Sequence, residues 1–239
     1  ISSASWAITK GFVNEKKSPR PGGRKVQMEI CYCHTPPRYL YGYDTSRKFK
    51  GFFGGLVKFY GMAINGPLRK YDYKRAQKVD YFIANSKEVA GRIKRFYGRD
   101  STVIYPPVDI KNSKLQIPNY KQTTNSKNFY LTGGRLTAAK NFDLIIKAFN
   151  ELKLPLLIFG DGPQKDYLKS ISGEFINFLG EVTDEEITRL YRESLAYVVA
   201  QKDEDFGITP VEAMGQGTPV IAYRGGGYLE TVVEGKTGL

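Results

Sequence analysis

Residues 204–222 read Glu-Asp-Phe-Gly-Ile-Thr-Pro-Val-Glu-Ala-Met-Gly-Gln-Gly-Thr-Pro-Val-Ile-Ala. The apolar run 195–200 precedes them, so the stretch reads as strand, polar loop, helix and strand. A helix is expected to begin near Val211, with Pro210 suited to its first turn and Glu212 at its start. Gly207 lets backbone approach a ligand with no Cβ in the way. The free N–H groups of a helix start favour an anion. Glu204 and Glu212 can only accept hydrogen bonds, which suits ligand hydroxyls. A phosphate between two hydroxyl-bearing groups describes a nucleotide-sugar.

The same alternation extends upstream. Strands are expected at 129–131, 156–159, 176–179, 197–200 and 219–222. Helices are expected at 142–152, 164–170 and 184–193, with a last helical turn after Gly225-Gly226-Gly227. Strands alternating with helices build a parallel, Rossmann-like α/β sheet, which binds ligands at the carboxyl ends of its strands. Nearer the N-terminus, strands are expected at 28–33, 79–84 and 103–105. Asn85-Ser86 can cap a helix over 87–97. Residues 111–128 are polar, with little apolar periodicity, and read as a linker. The expected organisation is a first domain at 1–110, the linker at 111–128, and a second domain at 129–239.

Charge divides the chain in the same way. Residues 1–128 carry 25 Lys and Arg against 8 Asp and Glu, whereas 129–239 carry 11 against 16. A basic half joined to an acidic half implies two domains with different partners. No apolar run reaches the roughly 18 residues of a spanning helix, and no signal peptide is visible. Cys31 and Cys33 lie two apart on an expected strand. That spacing strains a disulfide, and with one histidine in the chain a zinc site is short of ligands. Two buried free thiols in a reducing compartment are expected.

The segment 204–222 resembles the retaining glycosyltransferases of family 4, whose hallmark is a Glu, seven residues and a second Glu. The resemblance implies the GT-B fold, in which two Rossmann-like domains face a cleft, and implies roles for residues matching the family's motifs. Arg135 and Lys140, in Gly133-Gly134-Arg135-Leu136-Thr137-Ala138-Ala139-Lys140-Asn141, would hold the donor diphosphate. A guanidinium fork and a mobile ammonium suit the charge that grows on a departing nucleoside diphosphate. Gly207, Ile208 and Thr209 would meet the diphosphate through backbone N–H groups. Glu212 would accept from the ribose, and the backbone of Glu181 and Val182 would meet the base. Glu204 and Phe206 would contact the transferred sugar, and Glu204 and His34 would be the catalytic residues. His34, after the strand ending at Cys33, would face that sugar. Gly160 and Gly162 are expected to shape a turn rather than bind. No metal and no cofactor is expected. The resemblance further implies a front-face mechanism, in which a donor phosphate oxygen takes the acceptor proton; double displacement would need a second carboxylate near His34, and none is evident. It makes 1–110 an incomplete N-terminal acceptor-binding domain and 129–239 a truncated C-terminal donor-binding domain.

The local sequence Cys-His-Thr-Pro-Pro-Arg-Tyr-Leu-Tyr-Gly-Tyr at 33–43 resembles mannosyltransferases of polysaccharide assembly and points to GDP-mannose. Between residues 47 and 78, apolar positions 49, 52, 53, 56, 59 and 60 recur at helical spacing among Lys48, Lys50, Lys58 and further basic residues. Such a stretch is either a membrane-interface helix serving a lipid-linked acceptor or a core-facing stripe with a solvated basic face, and Gly51, Gly54 and Gly55 weaken the helix. The expected location is cytoplasmic, with peripheral attachment to the inner face of the membrane as the option. The family's N-terminal glycine-rich loop is absent between Ile1 and Leu239, so the chain is expected to be an internal fragment. Two other enzyme-fold readings stay open: a nucleotide-sugar epimerase and a catalytically silent nucleotide-binding subunit. Nucleic acid, the alternative raised by the basic half, leaves Arg135, Lys140, Glu204 and Glu212 without a purpose, and no such partner is expected.

Overall fold

The computed structural model describes residues 2–4, 28–43, 51–108 and 128–239, with backbone alone at 2–4 and 51–63. The chain divides into two compact units, Ile1–Pro106 and Pro107–Leu239. Of the expected linker, residues 111–127 lie outside the described residues.

In the first unit, β1 (Ser2–Ala4), β2 (Ile30–Cys33), β3 (Tyr81–Ala84) and β4 (Ser101–Val103) pair in parallel, in that order. Helix α1 (Arg38–Tyr41) follows β2, and α3 (Lys87–Tyr97) joins β3 to β4. Ser86 caps α3, its Oγ accepting from the Val89 N–H at 3.0 Å, and Gly98 ends it in the left-handed conformation. The cap is the one the Asn85-Ser86 pair implied. Cys31 and Cys33 form no disulfide and are buried with Phe82, Ala84, Val89, Ile93 and Tyr97 in one core. They share a face because alternate strand residues do.

Helix α2 runs unbroken over Gly51–Ala76 and includes Pro67. The glycines that weakened this helix on paper do not prevent it, since tertiary packing overrides propensity. Its C-terminal turns bury Asp72 and Ala76. The apolar side chains 52–60 lie outside the described residues, and Phe49 with them.

The second unit holds five parallel strands in the order β7-β6-β5-β8-β9. They are β5 (Tyr130–Gly133), β6 (Leu156–Phe159), β7 (Ile176–Gly180), β8 (Tyr197–Val199) and β9 (Val220–Ala222). Helices α4 (Phe142–Leu152), α5 (Lys165–Ser170), α6 (Asp184–Glu193), α7 (Ile208–Gly215) and α8 (Tyr228–Thr231) connect or follow them. Leu156 and Ile158 point into one core with Phe142, Ile146 and Leu168, whereas Phe159 points into the other with Leu190, Tyr197 and Ala213. Both faces of the sheet are therefore covered, as a parallel sheet requires. Each such buried Leu or Ile contributes roughly 1.5–3 kcal/mol. Thr183 and Glu186 close a reciprocal capping box on α6.

The order places β6 and β7 on one side of β5, and β8 and β9 on the other. Chain progression reverses between β5 and β8, and there the connections leave an open crevice above the carboxyl ends of the strands.

Candidate active site

A cavity opens at that reversal. Its wall includes Thr132 and Gly133 from the end of β5, Lys140 from the following turn, Gln201 just past β8, Thr209 on α7 and Tyr228 on α8. Five separate segments meet there, and each arrives for a local reason.

The turn bearing Lys140 is a short 3-10 helix, Ala138–Lys140, followed by Asn141 with φ 54°. Asn141 side chain donates to the Ala200 carbonyl at 2.9 Å, which fixes the turn against β8. Lys140 Nζ then lies 3.0 Å from Glu204 Oε2. Tyr228 hydroxyl reaches the same oxygen at 3.4 Å, and the Asp205 N–H donates to Glu204 Oε1 at 3.1 Å. Glu204 is thus held from three sides, and two residues expected to meet the donor are ion-paired to each other.

Helix α7 begins at Ile208, three residues earlier than the sequence implied. Gly207, with φ 87°, turns the chain into the helix, and Pro210 is tolerated because first-turn N–H groups have no intrahelical partner. A Cβ on Gly207 would lie 2.8 Å from the Tyr228 ring. Glu212 is therefore a full turn inside α7 rather than at its start. Phe206 is buried beside this turn, and Ile208 is exposed. Burial raises the Glu212 carboxyl above the usual 4.5, and the Asp184 carboxylate adds to the effect. Asp184 opens α6, directly after Glu181, Val182 and Thr183. The loop expected to meet the base and the carboxylate expected to meet the ribose are thus within electrostatic reach of each other.

Beneath the cavity, Tyr197 is fully buried and donates to the Gly133 carbonyl at 3.2 Å. Burial pushes its hydroxyl up to about 12. Thr132 Oγ1 donates to the Val198 carbonyl at 2.7 Å. Gly160 and Gly162 pack edge-on against the backbone of residues 134 and 136, which is the turn-shaping role expected of them.

Not every expected residue joins the cavity wall. Arg135 sits on the same loop as Lys140 but is exposed. Glu181 is exposed and Val182 half-buried, beyond the end of edge strand β7. His34 belongs to the first unit, where it is exposed and its ring meets Tyr32 edge-on at 5.2 Å between centroids. Its neighbour Thr35 is buried and accepts from Arg92 at 3.1 Å. Arg92 is also buried, donates to Glu88 at 3.0 Å and lies over the Tyr43 ring. Among the described residues no group of three or more His, Cys, Asp or Glu side chains is placed to hold a metal ion.

Cavity residues that carried no site expectation include Thr132, Tyr197, Gln201 and Tyr228. For Gln201 the available signal was its position just past a strand end in a parallel sheet, where ligands bind. Gly225-Gly226-Gly227 also pointed at Tyr228. A Cβ on Gly227 would meet the Asp205 carbonyl at 2.6 Å, and the Gly227 N–H donates to the Glu204 carbonyl at 2.9 Å, so this run lies against the Glu204 loop.

With this geometry in view, known proteins give it a context. The lipopolysaccharide core biosynthesis mannosyltransferase LpcC of Rhizobium leguminosarum is 36% identical over 121 residues, 44% of this chain and 34% of that protein. The alpha-1,3/1,6-mannosyltransferase alg2 of Schizosaccharomyces pombe is 26% identical over 258 aligned positions, 89% of this chain and 48% of that protein. The chain spans about a third to a half of the length of these relatives. Among solved structures, sucrose-phosphate synthase of Thermosynechococcus elongatus superposes with a TM-score of 0.66 at 20% identity, over 88% of this chain and 53% of that one. Anabaena Alr3699/HepE, solved with UDP and glucose, gives 0.60 at 22%, over 88% and 63%. These likenesses show the fold, parallel α/β units of the GT-B kind. Residues 114–239, more than half the chain, match the profile of the family described as glycosyl transferases group 1. The segment that builds the crevice between β5 and β8 is the segment the family shares, and the chain belongs to the group 1 glycosyl transferases.

Proposed function

We propose that this chain carries the donor site of a retaining glycosyltransferase that moves a hexose from a nucleotide-sugar to a glycan or lipid-linked acceptor. The observation that carries this reading is the meeting of Lys140, Glu204 and Thr209 at the crevice between β5 and β8. Lys140 and Arg135 take the diphosphate, joined by backbone N–H groups of Gly207, Ile208 and Thr209. Glu212 accepts from the ribose, and the backbone of Glu181 and Val182 meets the base. Glu204, next to Phe206, accepts from hydroxyls of the transferred sugar. His34, from the first unit, orients that sugar.

Charge growing on the leaving diphosphate is met by preorganised cations in place of water. A divalent metal is then unnecessary. The acceptor hydroxyl attacks the anomeric carbon on the face the diphosphate leaves. Its proton passes to a phosphate oxygen, and the sugar retains its configuration. The named mannosyltransferases among the relatives, with the sequence at 33–43, favour mannose carried by GDP. The basic first half serves an acceptor at an anionic membrane surface. Among the described residues no helix is long and apolar enough to cross a membrane.

The test is titration of the protein with GDP-mannose, GDP-glucose, UDP-glucose and UDP-N-acetylglucosamine in excess chelator, then mass and anomeric analysis of any transfer product. GDP-mannose should bind most tightly, and the product should keep the donor's anomeric configuration. Inversion, or binding restored only by magnesium or manganese, would overturn the mechanism.

A further inference from the structure

Gln201 is 5% exposed, and its Oε1 is buried without a hydrogen bond. A buried acceptor left unpaired costs free energy, and native proteins rarely keep one without a use for it. Its surroundings make the omission specific. Tyr197, Thr132, Lys140 and Tyr228 line the same cavity, and each has a protein partner: the Gly133 carbonyl, the Val198 carbonyl, and for the last two the Glu204 carboxylate. Asn141, at the edge of the wall, is committed to the Ala200 carbonyl next to Gln201. The carboxamide alone in this set keeps its acceptor open.

The chemistry of that acceptor narrows what it takes. An ionised phosphate has no proton to donate to a carbonyl oxygen, whereas a sugar hydroxyl has. The amide is also neutral. A carboxylate in its place would compete for Lys140, as Glu204 already does, and would repel the diphosphate. We infer that Gln201 reads a hydroxyl of the transferred sugar and helps set which hexose the site accepts. This rests on the reading of the cavity as a nucleotide-sugar site.

Gln201→Met keeps the length of the side chain and removes both polar ends. Wild type and variant are titrated with GDP, UDP, GDP-mannose and UDP-glucose, and their melting temperatures are compared. The expected result is a selective one. Nucleoside diphosphate binding stays within about twofold, while the preferred nucleotide-sugar binds about 3- to 10-fold more weakly. The unliganded variant melts about 2–4 °C higher, because a buried unpaired acceptor has been removed. Unchanged nucleotide-sugar binding would overturn the inference, and so would equal weakening of all four ligands in a folded variant. Should Gln201→Met melt lower than wild type, Gln201→Ser is judged by the same selectivity. Wild type that binds none of the four ligands overturns the nucleotide-sugar reading itself, a failure visible without any variant.

Discussion

The clearest contrast in buried polarity lies between Asp72 in the first unit and the crevice of the second. In the first, Asp72 is fully buried on α2, and the hydroxyls of Tyr41 and Tyr97 both donate to its Oδ2 at 2.8 Å. Burial, then the neighbouring carboxylate, pushes both tyrosines far above their ordinary value. One carboxylate thereby ties α1, α2 and α3 together, and Arg92 does the same for the loop after β2. In the second unit, the Gln201 acceptor stays open, Glu212 is half-buried with a raised pKa, and Glu204 and Lys140 hold each other in a pair that a ligand can divide. At Asp72, buried polarity satisfied within the protein builds architecture. At the crevice, an open acceptor and an exchangeable ion pair leave room for a ligand.

That contrast can be broken most severely at Asp72. Asp72→Ala leaves two buried hydroxyls without their acceptor and should cost about 3–5 kcal/mol of stability, read as a lower denaturation midpoint of the first unit. A loss under about 1 kcal/mol would mean the network is incidental. A smaller effect concerns the charge difference between the halves. Changing Lys48, Lys50 and Lys58 to Glu should weaken co-sedimentation with anionic vesicles at low salt, by about 1 kcal/mol for each basic residue near the surface. Nucleotide binding by the second unit should be unaffected. Equal pelleting with neutral and anionic lipid would leave the basic stretch without a membrane role.

On the open side of the contrast, the proposed role of Glu212 as a ribose acceptor implies that Glu212→Ala should weaken GDP binding by about 1–3 kcal/mol. The pH dependence sharpens this. Burial and Asp184 raise the Glu212 carboxyl, so its folded value lies above its unfolded one. The folded protein then binds more protons between the two values, and stability falls as pH rises through that window. Binding has the reverse sign, because the ionised form accepts hydroxyls. GDP affinity should therefore drop on acidification before an ordinary carboxylate would protonate, and Glu212→Gln should flatten the profile. An unchanged profile in that variant would assign the titration to another group.

The smallest expected effect carries the least intuitive sign. Glu204→Gln removes the carboxylate that holds Lys140 at 3.0 Å. Lys140 becomes available to the diphosphate and a nearby negative charge disappears. GDP should bind more tightly, by about 0.5–1 kcal/mol for a pair open to solvent on its lysine side, while sugar transfer should fall on the proposed reading that Glu204 contacts the sugar. Weaker GDP binding would show that Glu204 organises Lys140 for the ligand instead of competing for it.

Much of this protein was legible in its sequence wherever the cause is local. The Ser86 cap, the Thr183–Glu186 box, the apolar runs of β6 and α4 and the turn at Gly207 each depend on residues within a few positions of one another. Element type and approximate limits followed from them. Pro210 does lie in the first turn of α7, but the start near Val211 is three residues late, because the left-handed Gly207 and not the proline turns the chain into the helix. Helix α2 was doubted because propensity counts glycines and cannot count the burial of Asp72 and Ala76. The pairing of Lys140 with Glu204, the junction of Asp72 with two tyrosines and the open Gln201 acceptor had no local signal at all. They exist because β5 lies beside β8, where Thr132 meets a carbonyl 66 residues away. Sequence fixes which residues can do chemistry through their side-chain groups and nearby turns. Strand order, a long-range choice made by burying both faces of a sheet at once, decides which of them share a crevice.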